Sequence, residues 1–241
     1  TWGTNKIIID SNGLNYQGNP DTYTVEYTTD GQSVNIVYSD ATKGWLPLED
    51  DVTALEPVAP PTQKGIFGYG TTGSYVSMSN LVNSSGVVAA DVTGVGTARG
   101  VLGASSYGGD KAIFGYGHTG SNVSMTNLVS NSGVVASDVT GVGTARYSLA
   151  AASYGTDKAI FGYGYVSGAV SMTNLVNNSG VVSADVTGVG TARYALAAAS
   201  YGGDKAIFGY GTSGTVVSLT NLVSNSGVVA TDTTGVGTAR S

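Results

Sequence analysis

The residue types that most often carry chemistry near neutral pH are scarce in this chain. It has one histidine, His118, and no cysteine, so a thiolate nucleophile, a cysteine-held metal and a disulfide are all ruled out. A lone histidine can serve as a base or a ligand, but no second one exists to share a metal with it. The residues that do recur are charged. Asp91, Asp138, Asp185 and Asp232 follow one another at a spacing of 47, and so do Arg99, Arg146, Arg193 and Arg240. An aspartate ring could hold Ca²⁺, which takes oxygen ligands. The closely spaced Gly-Gly-x-Gly-x-Asp pattern of calcium-binding rolls is absent, however, and identical placement in every copy favours a structural use. An acid and an arginine eight residues apart can meet on adjacent strands, where a buried pair fixes register more than it adds stability. An enzyme would need these aspartates to converge on a cleft. No catalytic residue, metal or cofactor is expected.

The phrase Gly-Tyr-Gly also recurs, at Gly68-Tyr69-Gly70, Gly115-Tyr116-Gly117, Gly162-Tyr163-Gly164 and Gly209-Tyr210-Gly211. A phosphate cradle needs a following helix N-terminus and usually a lysine, and neither is present. These glycines are expected instead to permit tight turns and close strand approach.

The spacing belongs to a tandem repeat. Lys64, Lys111, Lys158 and Lys205 each open one copy of a 47-residue unit, so residues 64–241 hold four copies. Most columns are identical or exchange Ser, Ala and Asn. Five consecutive positions after Gly-Tyr-Gly differ: 71–75 read TTGSY, 118–122 HTGSN, 165–169 YVSGA and 212–216 TSGTV. In stacked repeats, equivalent loops emerge on one face, commonly the binding face. The candidate binding residues are therefore Thr71, Thr72, Ser74 and Tyr75 in the first copy, and His118, Thr119 and Asn122 in the second. Tyr165 and Val166 follow in the third, and Thr212, Ser213 and Thr215 in the fourth. Tyr75, His118, Asn122 and Tyr165 suit contacts to sugars or to a host surface protein. A hairpin tip that merely tolerates drift would show the same variation.

These loops must be held by β structure. Val, Ile and Tyr are frequent, and 37 glycines in 241 residues imply many tight turns. Four strand-sized pieces fit each unit, in the second copy 112–116, 123–130, 133–140 and 145–154, with Gly, Asn and Ser between them. The Leu-Ala-Ala-Ala stretch is too short and too closely bounded by glycine for an independent helix and reads as strand. A period in the forties with four short strands is the size of a propeller blade. The alternative is an open stack of β-repeats. One strand is missing at the seam, because the first copy has no Leu-Ala-Ala-Ala piece before Lys64.

Residues 1–46 read as a separate antiparallel β module, with strands near 6–10, 22–28 and 33–39 and a hairpin turn at Asp30-Gly31. Residues 47–63, with four of the chain's five prolines, read as a semi-rigid acidic linker. The net charge of −6 is uneven: residues 1–63 set two lysines against nine acids, whereas the repeats carry four Lys, four Arg and seven Asp. A nearly neutral repeat region offers no footprint for a phosphate backbone, so nucleic acid is not an expected partner. No apolar run approaches the roughly 18–20 residues of a membrane span, and no signal peptide is visible at the N-terminus.

The order of the unit resembles a kelch-type blade, an arginine-led strand with small residues followed by a glycine-ended apolar strand and two more. Arg146, alanines 150–152 and the 160–164 phrase follow that order, as do Arg193, alanines 197–199 and 207–211. The repeats depart from it in carrying Gly-Tyr-Gly for a Gly-Gly doublet and in lacking the tyrosine/tryptophan pair. The N-terminal phrases NKIIIDSNGLNYQG (5–18), DGQS (30–33) and VYSDATKGW (37–45) are similar to segments of tail-fibre and other virion structural proteins of tailed phages, especially marine ones. That resemblance implies a subunit of a tail fibre or similar appendage, located in the virion and contacting other virion subunits. Its repeat domain would bind a host-surface glycan or protein or decorate the particle, and it would assemble as a homotrimer. A bacterial cell-surface adhesin or lectin built from the same blades is the alternative, and would be extracellular.

Overall fold

The computed structural model describes residues 6–22, 24–28, 34–49 and 63–241. All regular structure among them is β, and no helix among them is long and apolar enough to cross a membrane. The chain divides into two compact units, Thr1–Thr62 and Gln63–Ser241.

In the first unit, strand β1 (Ile7–Ile9) pairs antiparallel with β2 (Val25–Tyr27), and β3 (Asn35–Asp40) forms a hairpin with β4 (Gly44–Glu49). Tyr16, Val25 and Tyr27 make a small core with Ile7, Ile9, Val34 and Trp45 packed around it. The expected turn at Asp30-Gly31 lies outside the described residues, and the strands on either side of it find other partners. The β3–β4 turn is held by the Asp40 carboxylate, which accepts the amides of Thr42 (2.8 Å) and Lys43 (2.7 Å). The linker reading is corrected at its start. Pro47 sits inside β4 opposite Ile36, beside a register irregularity between Asn35 and Ile36, where a residue without an N–H costs no ladder bond. Residues 50–62 lie outside the described residues.

The repeats form a succession of small antiparallel sheets. The first has two strands, β5 (Gln63–Thr71) and β6 (Tyr75–Asn83). The next three have three each, in the orders β7-β8-β9, β10-β11-β12 and β13-β14-β15. Their leading strands are β7 (Gly103–Tyr107), β10 (Ala150–Tyr154) and β13 (Ala197–Tyr201). Their central strands are β8 (Lys111–Gly115), β11 (Lys158–Tyr165) and β14 (Lys205–Gly209), and their trailing strands β9 (Thr126–Val129), β12 (Ala169–Val176) and β15 (Thr220–Val223). The alanine-rich piece is thus strand, as expected, but it pairs with the central strand of the following copy: Ala150 lies opposite Gly162 and Tyr154 opposite Lys158. Each three-stranded sheet therefore straddles a repeat boundary.

The third expected strand, 133–140, is not a full ladder strand. Its backbone bridges β9 at the isolated pairs Val129–Val135 and Thr126–Val139, with Ala136 N–H donating to Leu128 O between them, and the Asn127 side chain of β9 donates to Ala136 O and Asp138. Its Val134 is 64% exposed, so no second layer presses the segment flat. None of the sheets closes into a barrel, and the propeller ring expected from the period and from the kelch resemblance is not shown.

Successive sheets stack through one recurring contact. Phe114, Phe161 and Phe208 are buried, each against the sheet before it. A Cβ added at Gly68 would stand 2.8 Å from Phe114, at Gly115 2.7 Å from Phe161, and at Gly162 2.5 Å from Phe208. Glycine is required there because the phenyl ring occupies the place of a side chain. The turn glycines Gly180 and Gly227 close the same joints, lying against Tyr107 with Leu128 and against Tyr154 with Leu175.

Candidate functional site

The Gly-Tyr-Gly phrase sets the geometry of the variable loops. In β11 the register breaks between Gly162 and Gly164, and Tyr163 takes the left-handed conformation at φ 64°. Tyr69, Tyr116 and Tyr210 do the same at φ 63–64°. A non-glycine residue there costs on the order of 1–3 kcal/mol and persists only where its surroundings over-determine it. The surroundings are visible. The Tyr163 hydroxyl donates to Val189 O (3.1 Å), and its ring lies under the Arg193 guanidinium, 4.3 Å from the centroid. The bulge turns the tyrosine into the joint and re-aims the chain into the hairpin tip.

Beyond the bulge, each hairpin tip is closed by the same short bond: Thr72 N–H to Ser74 O, Thr119 to Ser121, Val166 to Gly168 and Ser213 to Thr215, all 3.0–3.1 Å. Thr71 and Thr212 hydroxyls and the His118 Nδ1 accept the amides of Gly73, Gly214 and Gly120. Adjacent tips touch. The Tyr75 hydroxyl lies 2.9 Å from His118 Nδ1, and Asn122 Nδ2 donates to Val166 O at 3.1 Å.

The tips support an aromatic row. Ring centroids run Tyr75–His118 at 6.0 Å, His118–Tyr147 at 5.3 Å, Tyr147–Tyr165 at 5.5 Å and Tyr165–Tyr194 at 4.9 Å. All are tilted or edge-to-face, the favoured geometry for neighbouring π systems. The backbone aligns them: Gly100, Tyr147 and Tyr194, each directly after a recurring arginine, bridge to His118, Tyr165 and Thr212. Of the expected residues, Tyr75, His118 and Tyr165 fall in the row, and Asn122 and Val166 buttress it. Thr71, Thr72, Ser74, Ser213 and Thr215 stand exposed at the tips, with Thr119 and Thr212 partly covered. Tyr147 and Tyr194 escaped the sequence reading. Their column also varies between copies, Gly100 against Tyr147 and Tyr194, but as a single position it lay outside the five-residue block.

The recurring charges are placed elsewhere, in the joints. Arg146 is fully buried and stacked on Tyr116, 4.3 Å from the ring centroid. It reaches across to the next sheet, donating from Nε to Tyr163 O (2.8 Å) and from Nη2 to Asn174 Oδ1 (2.7 Å). Asp185, from that next copy, reaches back. It accepts the Thr144 amide (3.0 Å) and hydroxyl (2.6 Å) and the Asn174 amide (2.9 Å), with Arg146 Nη1 at 3.9 Å. Arg99 with Asp138 and Arg193 with Asp232 repeat the pattern, Arg193 without the Nε bond. Burial pushes the Asp138, Asp185 and Asp232 carboxyls up. The bonds from threonine and asparagine and the nearby arginine outweigh it, so all three lie below the ordinary carboxylate value. Burial likewise pushes the Tyr116 and Tyr163 hydroxyls up to about 12.

Three of the four aspartates are thus each spent on their own joint, and Asp91 bonds Asn80 within the first copy. No group of three or more His, Asp or Glu able to hold a metal occurs among the described residues. The loops present aromatic faces, hydroxyls and amides. No protein-family model matches the chain, and no curated protein matches it in sequence.

Proposed function

We propose that this chain is a virion structural protein, a subunit of a phage tail fibre or similar appendage. Its repeats form an open stack that holds a host-surface glycan along the row from Tyr75 to Tyr194. The N-terminal phrases similar to tail-fibre segments support the virion assignment. The observation that carries the binding role is the row itself: five rings contributed by three variable loops and two residues after the arginines, each 4.9–6.0 Å from the next in an unbroken chain of contacts. Aromatic side chains with a polar tip give large contact area at low entropic cost and dominate recognition surfaces. An elongated polymer would meet several equivalent loops at once, so weak contacts add by avidity, further multiplied in a homotrimeric fibre.

The test is binding of the purified chain to host cells and to their extracted surface polysaccharide. Tyr147→Ala with Tyr165→Ala should weaken binding by at least about tenfold, the loss of a hot-spot contact. Unchanged binding in that double variant would remove the loops from the binding face. Particle-derived peptides of this chain in purified virions test the assignment to an appendage.

A further inference from the structure

The aromatic row carries polar groups that the protein itself leaves unused. The joint tyrosines spend their hydroxyls within the chain: Tyr69, Tyr116, Tyr163 and Tyr210 donate to Val95 O, Val142 O, Val189 O and Val236 O. The hydroxyls of Tyr147, Tyr165 and Tyr194, by contrast, have no hydrogen-bond partner among the described residues, and all three side chains are partly exposed. His118 is committed on one side only. Its Nδ1 accepts the Gly120 amide (3.1 Å) and faces the Tyr75 hydroxyl (2.9 Å), so the ring is neutral and its proton sits on Nε2.

Charge is kept away from the same surface. The four tips and positions 100, 147 and 194 hold no aspartate, glutamate, lysine or arginine. Arg99, Arg146 and Arg193, each one residue away, are fully buried in the joints. Lys111, Lys158 and Lys205 pair with Asp110, Asp157 and Asp204 at the opposite end of the central strands from the tips. Neighbouring rings of the row are inclined to one another by 54–74°, so they make a corrugated ribbon and not a flat platform. The second and third copies supply two rings each, His118 with Tyr147 and Tyr165 with Tyr194. Stacked sheets lie about 10 Å apart, so each such advance presents two facets of opposite inclination.

We propose that the ligand of the row is an extended, uncharged polysaccharide of diequatorially linked pyranoses, seated two sugar units per repeat. This rests on the glycan-binding reading and narrows it to one ligand class. Diequatorial linkage turns each sugar ring over relative to the last, and two units of such a chain span about the rise of one repeat. The apolar faces of the sugars pack on the inclined aromatic rings, and their hydroxyls meet the tyrosine hydroxyls and the His118 Nε2–H. A carboxylate or phosphate on the polymer would leave water with no cation to receive it, which costs more than a lost hydrogen bond. The row therefore discriminates against acidic polysaccharides.

Two probes isolate the class. Mannohexaose from β-mannan and the hexamer of β-mannuronate from alginate share one diequatorial backbone and differ at the exocyclic carbon, an alcohol in the first and a carboxylate in the second. In isothermal titration of the full chain, mannohexaose should bind at least about tenfold tighter than the mannuronate hexamer. It should exceed mannobiose, which fills one repeat only, by a similar factor of about ten. Added salt should leave its affinity unchanged, because no ion pair forms. Tyr147→Phe with Tyr194→Phe keeps both rings and removes two hydroxyls; it should weaken binding several-fold, with circular dichroism confirming the fold. Equal affinity for the mannuronate hexamer or for mannobiose overturns the proposal, and so does full affinity in the phenylalanine variant. Binding to host polysaccharide without binding to mannohexaose overturns the ligand class and leaves the glycan reading standing. Binding to neither removes both.

Discussion

The joint and the hairpin tip lie only a few residues apart in each repeat, yet they obey opposite rules. Between Tyr116 and His118 the chain passes from a column identical in all four copies to one that reads Thr, His, Tyr, Thr. The joint residues each touch a neighbouring copy: Phe161 fills the space over Gly115, Arg146 bonds Tyr163 O, and Asp185 caps Thr144. A change there must be matched on the facing sheet, so the column is held fixed. The tips bond to themselves and to the preceding copy through backbone groups, and touch the next tip through side-chain ends, so their side chains can differ without disturbing the stack. Constancy marks where copies meet, and variation marks where the stack faces outward.

The contrast breaks most sharply at the arginines. Arg146→Ala removes a buried guanidinium and leaves Tyr163 O, Asn174 and Asp185 without it. The expected loss is about 3–5 kcal/mol in urea unfolding. Arg240→Ala, the same change at an open end, should stay within about 0.5 kcal/mol at dilute concentration. Equal losses would mean that the arginine acts within its own copy rather than between copies.

High pH attacks the joints. Tyr116 and Tyr163 ionise near 12 in the folded chain, against an ordinary value of 10.0. Above the ordinary value the unfolded chain loses protons that the folded chain keeps, so stability is complete below about pH 10 and falls as pH rises toward about 12. Each tyrosine contributes about 2 kcal/mol or less to that fall. In acid the joint aspartates act in the opposite sense. Their stabilisation is present above the ordinary carboxylate value and is lost as pH drops below it. Denaturant midpoints measured across both ranges check the two signs.

A smaller effect separates two chemically identical glycines. Gly162→Ala would press a methyl onto the Phe208 ring and should cost about 1–3 kcal/mol. At Gly209 an added Cβ makes an ordinary 3.4 Å contact with Thr220, so Gly209→Ala should be near neutral. Least of all, Tyr165→Ala should lose about 0.5–1.5 kcal/mol of stability, the worth of its ring contacts with Tyr147 and Tyr194, while binding falls far more. A tip substitution as costly as Arg146→Ala would erase the distinction.

Much of this was legible in the residues. The 47-residue period, the β character and the alanine-rich strand follow from patterning and from glycine spacing. So does the structural use of the Asp–Arg columns, although each arginine meets the aspartate of the next copy rather than the one eight residues before it, within a wider set of bonds through asparagine and threonine. The partners of strands were less legible. The alanine-rich strand joins the next copy's sheet, which local pattern does not specify, and the 133–140 segment alternates like a strand but bonds only at intervals. Pro47 looked like the start of a linker because proline removes a donor, yet at an irregular edge that donor is not needed. The left-handed tyrosines were hidden for a related reason. Glycine announces such a backbone, whereas a tyrosine adopts it only when an arginine stack and a carbonyl hold it there.

Hydrogen exchange at four equivalent threonine amides measures most directly whether each repeat is closed by the next. Thr97, Thr144 and Thr191 donate to Asp138, Asp185 and Asp232 of the following copy, and the Thr238 amide has no such acceptor among the described residues. At dilute concentration the first three amides should be strongly protected and the Thr238 amide should exchange rapidly. Four amides exchanging at similar rates would contradict the joint.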